Sequence, residues 1–159
     1  MKFRPFALLA ICGLLVLAPS LTAAETYQVG DTFEAFTTKD QHEKDYAYAG
    51  GARLVLVAFE MGSGKAMNAY LAKQPAEFLE QHDAIFISNI YGMPGIGRMF
   101  ALPKMKKYPH RILLADAEDF LRRYPSQEDR ITALRLDAQG VITAIEFFDP
   151  KKVPARLFK

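Results

Sequence analysis

The 159-residue chain has a single cysteine, Cys12, and no tryptophan. One thiol closes no intramolecular disulfide, which excludes a small disulfide-stapled scaffold. It equally excludes a cysteine-ligated zinc cluster, which takes several thiolates. No charge sign dominates: 20 Lys+Arg face 18 Asp+Glu, for a formal net charge of +2. A balance this near neutral gives no general attraction for nucleic acid. Repeats, low-complexity tracts and linkers are missing. With ten Gly, nine Pro and 50% hydrophobic residues, the chain is neither collagen-like nor disordered. The length fits one domain, large enough to bury a core without covalent staples.

The long apolar run lies at the start, from Phe6 to Ala18 behind Lys2 and Arg4. A bilayer span takes about 20 apolar residues, whereas a run of about 10–14 reads as the hydrophobic stretch of a secretory signal. Pro19 and Ser20 end it, and Thr22-Ala23-Ala24 offers small residues to a signal peptidase. Residues 1–24 are therefore expected to be a signal peptide cleaved between Ala24 and Glu25. Residues 25–159 are expected to form one exported domain, periplasmic or secreted, with no retained membrane anchor. Ile11 before Cys12 argues against lipidation there. Removal of Lys2 and Arg4 brings the formal charge to zero, and removal of Cys12 leaves the exported chain without a thiol.

Beyond the cleavage point, Asp45 to Ala49 returns as a strand after the polar turn Lys39 to Lys44. Arg53 to Phe59 and Ala84 to Ile90 are apolar on both faces, as strands at the centre of a covered sheet are. Gly62-Ser63-Gly64 reads as a break, followed by a helix from about Lys65 towards His82 that Pro75 kinks or splits. A short helix is expected around Arg98 to Leu102, then a third strand at Arg111 to Ala115. Asp116 is placed to cap a helix carrying Phe120, Leu121 and Tyr124. Ile131 to Asp137 and Val141 to Phe148 flank Ala138-Gln139-Gly140 as a hairpin. Asp149-Pro150 starts a terminal helix. This alternation gives an α/β domain with a mixed sheet.

The chemical motifs are incomplete. Gly62-Ser63-Gly64-Lys65 has the end of a phosphate-binding loop, but Phe59 stands where the first Gly is needed and Ala66 where a hydroxyl holds Mg²⁺. A tight turn with Ser63 as helix N-cap accounts for it. Ser63 has Met61 where a nucleophile elbow needs Gly. Gly92, Gly95 and Gly97 lack the spacing of a dinucleotide fingerprint, with Phe100 at the third position. His42, His82 and His110 have no metal-site spacing and read as solvated or capping. Lys104, Lys106, Lys107 and Arg111 could form a local basic patch, but with Asp116, Glu118 and Asp119 close by they read rather as a solvated face. Met93, Met99 and Met105 read as core ahead of the lining of an adaptable binding surface.

Val29-Gly30-Asp31, the strand ending at Phe59, the helix with Pro75 and the hairpin from Leu136-Asp137 to Gly140 together resemble thioredoxin-like proteins of the peroxiredoxin and periplasmic thiol-oxidoreductase type. Asn89 to Leu102 and Tyr124-Pro125-Ser126 further resemble a group of small, Cys-less, secreted bacterial proteins on that scaffold. The resemblance implies a thioredoxin-like mixed sheet flanked by helices, with an N-terminal β-hairpin extension. It also implies a Cys-x-x-Cys motif opening the first helix, which counting places near Gly64 to Met67, and a cis-Pro near Arg130-Ile131. Neither is in the sequence, and a thioether does not ionise to replace a thiolate.

The expected function is therefore that of a redox-inactive periplasmic binding or accessory protein, with no catalytic residue, cofactor or metal. Ser63, Gly64, Lys65 and Arg130 are the expected surface for a protein, peptide or small anion. The rival is a small secreted enzyme of other chemistry, oxidoreductase-like or built on Ser63, Lys65, a His or a bound cofactor. Similar chains carry a flavin-dehydrogenase label, and these residues lend it no support.

Overall fold

Two runs are apolar on both faces, and both lie at the centre of one sheet. Residues 25–159 are described by a computed structural model; the expected signal peptide lies outside the described residues. In chain order the elements are β1 (Phe36–Asp40), β2 (Asp45–Tyr48), β3 (Leu54–Ala58), α1 (Met61–Leu71), α2 (Phe78–Gln81), β4 (Ala84–Asn89), α3 (Gly95–Met105), β5 (Leu113–Ala115), β6 (Ile131–Leu136) and β7 (Ile142–Phe148). The strands make one seven-stranded sheet in the order β2-β1-β5-β4-β3-β6-β7. β3 runs parallel to β4 and antiparallel to β6, and β4 runs parallel to β5. The N-terminal hairpin β1–β2 joins through an antiparallel contact with β5. The mixed sheet and the hairpin extension are as expected from the sequence.

Alternating side chains divide the core between the two faces. Leu54, Leu56 and Phe86 meet Met67 and Leu71 of α1 and Leu79 of α2 on one face. Val55, Val57 and Ile87 meet Tyr27, Phe33 and Tyr124 on the other. Burial of each large side chain contributes about 1.5–3 kcal/mol. The second face is covered by aromatic rings more than by helices: Phe33 packs edge-on against Tyr48 at 5.2 Å, and Tyr27 against Tyr124 at 5.4 Å.

Several local expectations are corrected. The first helix starts at Met61, not Lys65, with Glu60 as its N-cap. Gly62 and Gly64 both lie inside the helix, and Gly64 N–H already donates to the Glu60 carbonyl at 3.0 Å. Pro75 splits the run completely, separating α1 from the one-turn α2. No helix follows Asp116: residues 117–124 form turns, and the Asp116 carboxylate bonds Arg98 instead of capping. The tail after Asp149 is also turns, with Asp149 Oδ1 accepting the Lys151 N–H at 2.9 Å. The β6–β7 hairpin stands as expected. Asp137 Oδ1 accepts the N–H groups of Gln139 and Val141, each at 2.9 Å, and Gly140 takes a φ of +81° that a side chain would strain.

Candidate functional site

The site is built where β3 hands over to α1. Glu60 has extended backbone angles, so the chain turns sharply into the helix. Ser63, at the third helical position, is 3% exposed and donates from Oγ to the Glu60 carbonyl at 3.0 Å. The Glu60 carboxylate lies 3.2 Å from the same hydroxyl. Ser63 is thus held within the helix start rather than capping it. Gly62-Ser63-Gly64-Lys65 is helix and does not wrap a phosphate as a loop. Gly64 lets α1 lie close on the sheet: a Cβ there would stand 3.3 Å from Ser88 Oγ and 3.5 Å from Ala58 Cβ.

Opposite this helix start, β4 ends and the chain turns through Gly92, at φ +73°, into α3. Asn89 fixes the turn: its Nδ2 donates to the Phe59 carbonyl at 3.1 Å and its Oδ1 accepts the Tyr91 N–H at 3.1 Å. Between α1 and α3 opens a cavity of about 320 Å³. Its apolar lining comes from Met61, Ile90, Met93, Phe100 and Met105, and its polar lining from Lys65, Asn68, Ser88, Asn89, Lys104 and Tyr108. That is the character of a small-molecule site, apolar with a few polar groups.

α3 covers this cavity but is itself thinly anchored. Met105 is its only buried residue. Ile96 and Phe100 are each 71% exposed and Met99 is 64% exposed. Met105 is core and Met93 packs against it as expected; Met99 is corrected to the surface, because α3 turns that side away from the sheet. Arg98 holds the other side of α3, donating from Nη2 to the Ile90 carbonyl at 3.1 Å and from Nη1 to Asp116 Oδ2 at 2.8 Å.

A buried polar link lies behind the cavity. Asn68 and His110 are 4% and 2% exposed, with Asn68 Oδ1 and His110 Nε2 2.8 Å apart. Gln41 donates to the His110 carbonyl at 2.7 Å and accepts the Ile112 N–H at 2.8 Å. Burial pushes the imidazole down from 6.5 to about 4, so it is neutral at ordinary pH. His110 is therefore structural, a correction to its reading as solvated or capping. Among the described residues no three His, Cys, Asp or Glu come together as a metal site. The basic run disperses: Lys106 pairs with Glu43 at 3.0 Å, Arg111 lies 4.0 Å from Asp40, and Lys104 lines the cavity.

Of the expected surface residues, Gly64 and Lys65 line the cavity, while Ser63 is buried beside it. Arg130 is exposed one residue before β6, outside the cavity lining. The register Ala58↔Ile131 brings it level with Phe59, next to the start of α1. Sequence reasoning missed Asn68, Ser88 and Phe100. The period that puts Gly64, Lys65 and Asn68 on one helix face carried that signal for Asn68.

No family model matches the chain, and no curated protein matches it. Solved structures do. The thioredoxin domain of a thiol-disulfide oxidoreductase from Bacteroides vulgatus superposes with a TM-score of 0.53 at 19% identity, over 79% of this chain and 94% of that one. The fold is thioredoxin-like. A protein assigned as a thiol:disulfide interchange protein from Chlorobium tepidum gives 0.56 at 12% identity, over 79% and 89% of the two chains. A thiol peroxidase from Chromobacterium violaceum gives 0.50 at 15%, over 80% and 81%. The thioredoxin-like scaffold is here joined to a helix opening of Glu60, Met61, Gly62, Ser63 and Gly64, without a sulfhydryl.

Proposed function

We propose that this chain is a binding or accessory protein of the bacterial periplasm that uses a thioredoxin-like scaffold without thiol-disulfide chemistry. The opening of α1 carries the reading. A helix N-terminus stabilises a thiolate in front of it, and here that position offers Glu60, Met61 and a buried Ser63 hydroxyl bonded to Glu60. Residues 25–159 contain no cysteine, so no thiolate is available to attack a disulfide. The cavity beside this helix supplies a place to bind instead, with Gly64 and Lys65 in its wall. Support for export comes from Lys2, Arg4, the run Phe6 to Ala18 and the small residues before Glu25. No helix among the described residues is long and apolar enough to cross a membrane.

The test is insulin reduction with dithiothreitol as electron donor, run on chain purified from the exported fraction whose mass has been measured. The expected result is a mass beginning at Glu25 and a rate equal to the blank. A catalysed rate overturns the reading. So does a yellow, flavin-bearing product that turns over a substrate.

A further inference from the structure

We propose that the cavity between α1 and α3 binds a medium-chain carboxylate, its aliphatic chain among the methionines and its head group between Lys65 and Lys104. The proposal rests on the binding-protein reading and names the class of ligand. Lys65 stands on α1 and Lys104 on α3, so each of the two walls brings one lysine to the lining of the same cavity. No Asp or Glu shares the lining. Neither lysine has an ion-pair partner among the described residues, so both charges are open to a ligand. The lining therefore favours one negative charge. The larger depression of about 750 Å³ on the far side of α3 does not: its Lys39, Glu43, Arg98 and Asp116 are already paired.

The walls also decide against a peptide. An extended peptide gains its affinity by adding to a strand edge, and this cavity is flanked by two helices and the end of an internal strand. A cavity of about 320 Å³ is of small-molecule size, with room for a short aliphatic chain, and decanoate is the probe of that class. Met61, Met93 and Met105 are unbranched and adapt to such a chain. Phe100, largely exposed on α3 and part of the lining, gives the mouth an apolar edge of the kind that marks a binding surface.

The absence of tryptophan gives a clean reporter. Phe100→Trp puts the sole indole at the cavity rim, on a residue exposed enough to accept the change. This variant is titrated with decanoate, decanol and decyltrimethylammonium below their micellar concentrations, alone and with Lys65→Gln and Lys104→Gln added. Wild-type protein is titrated calorimetrically in parallel. The expected result is a saturable blue shift with decanoate, about tenfold tighter than with decanol, and loss of that preference in the double lysine variant. No saturable binding of decanoate by either method overturns the proposal. Equal binding of all three head groups, or a preference that survives both lysine substitutions, also overturns it. Insulin reduction measured on the same preparation separates the two claims. A catalysed rate sinks the non-redox reading, while silence with decanoate and no catalysis sinks the ligand class alone.

Discussion

Asn68 and His110, 42 positions apart in the chain, meet at 2.8 Å behind the α1–α3 cavity, Oδ1 against Nε2, and the ring's Nδ1 has no partner. Nε2 must carry the proton to donate to that oxygen, which leaves Nδ1 as a buried, unpaired acceptor. Protonating Nδ1 would bury a charge with no counter-charge bonded to it, which is why the imidazole is held at about 4.

The consequence for stability has a definite sign. Between pH 6.5 and about 4, the unfolded chain binds a proton at His110 that the folded chain refuses, so stability falls as pH falls. The contribution is whole above pH 6.5. Allowing for solvent screening, its loss by pH 4 is about 1–2 kcal/mol. Urea unfolding of wild type and His110→Gln at pH 7.5, 6, 5 and 4 checks this, because the carboxylates titrate alike in both. The wild-type advantage should shrink by that amount; parallel pH profiles would show that His110 does not titrate across folding.

Gly64 is predicted to be a compromise between helix propensity and contact. Alanine in a helix interior is favoured over glycine by about 1 kcal/mol. A Cβ at position 64, however, would press on Ser88 Oγ at 3.3 Å. Gly64→Ala should therefore change stability by less than about 0.5 kcal/mol, the two effects offsetting. In a Ser88→Ala background the same substitution should stabilise by about 1 kcal/mol, because the hydroxyl is gone. Thermal denaturation of the four proteins in this double-mutant cycle measures the coupling, and an additive cycle would remove the packing explanation.

How far the sequence was legible turns on distance along the chain. Leu54 to Ala58 and Ala84 to Asn89 announced central strands because both faces of each were apolar, and Asp137 with Gly140 announced the hairpin because turn chemistry is local. The start of α1 was misread because Gly62 and Gly64 look like breakers. Gly64 is small for Ser88's sake, and Ser88 lies 24 positions on in sequence. Asp116 looked like a cap because its partner, Arg98, lies upstream on α3. Lys65 and Gly64 were legible as candidates. The cavity they line was not, since α3, which brings Phe100 and Lys104 to it, is placed by tertiary contacts.

The Arg98–Asp116 pair is predicted to hold α3 locally rather than to stabilise the domain. Its side chains are 33% and 46% exposed, so its global worth is about 1 kcal/mol or less. Yet α3 buries only Met105, and Arg98 also bonds the Ile90 carbonyl. Asp116→Asn should leave the urea midpoint nearly unchanged while speeding amide exchange at residues 95–105 severalfold over the rest of the chain. Exchange that rises uniformly, or not at all, would place the anchoring of α3 elsewhere.

The thioredoxin-like scaffold is predicted to support a reactive thiol pair when one is introduced at the start of α1. Glu60 and Ser63 are three residues apart across the N-cap and first turn of α1, and their side chains already meet, Oγ to Oε2 at 3.2 Å. Cysteines at these two positions would bring two thiols together at a helix N-terminus, where the unpaired N–H groups and the helix dipole favour a thiolate. Glu60→Cys with Ser63→Cys should therefore oxidise to an internal disulfide in air. After reduction, one thiol should titrate below the free-cysteine value of about 8.5, read from the pH dependence of iodoacetamide alkylation. Insulin reduction should rise measurably above the wild-type blank. A double variant that folds, forms the disulfide and still titrates near 8.5 would mean that this helix start does not stabilise negative charge.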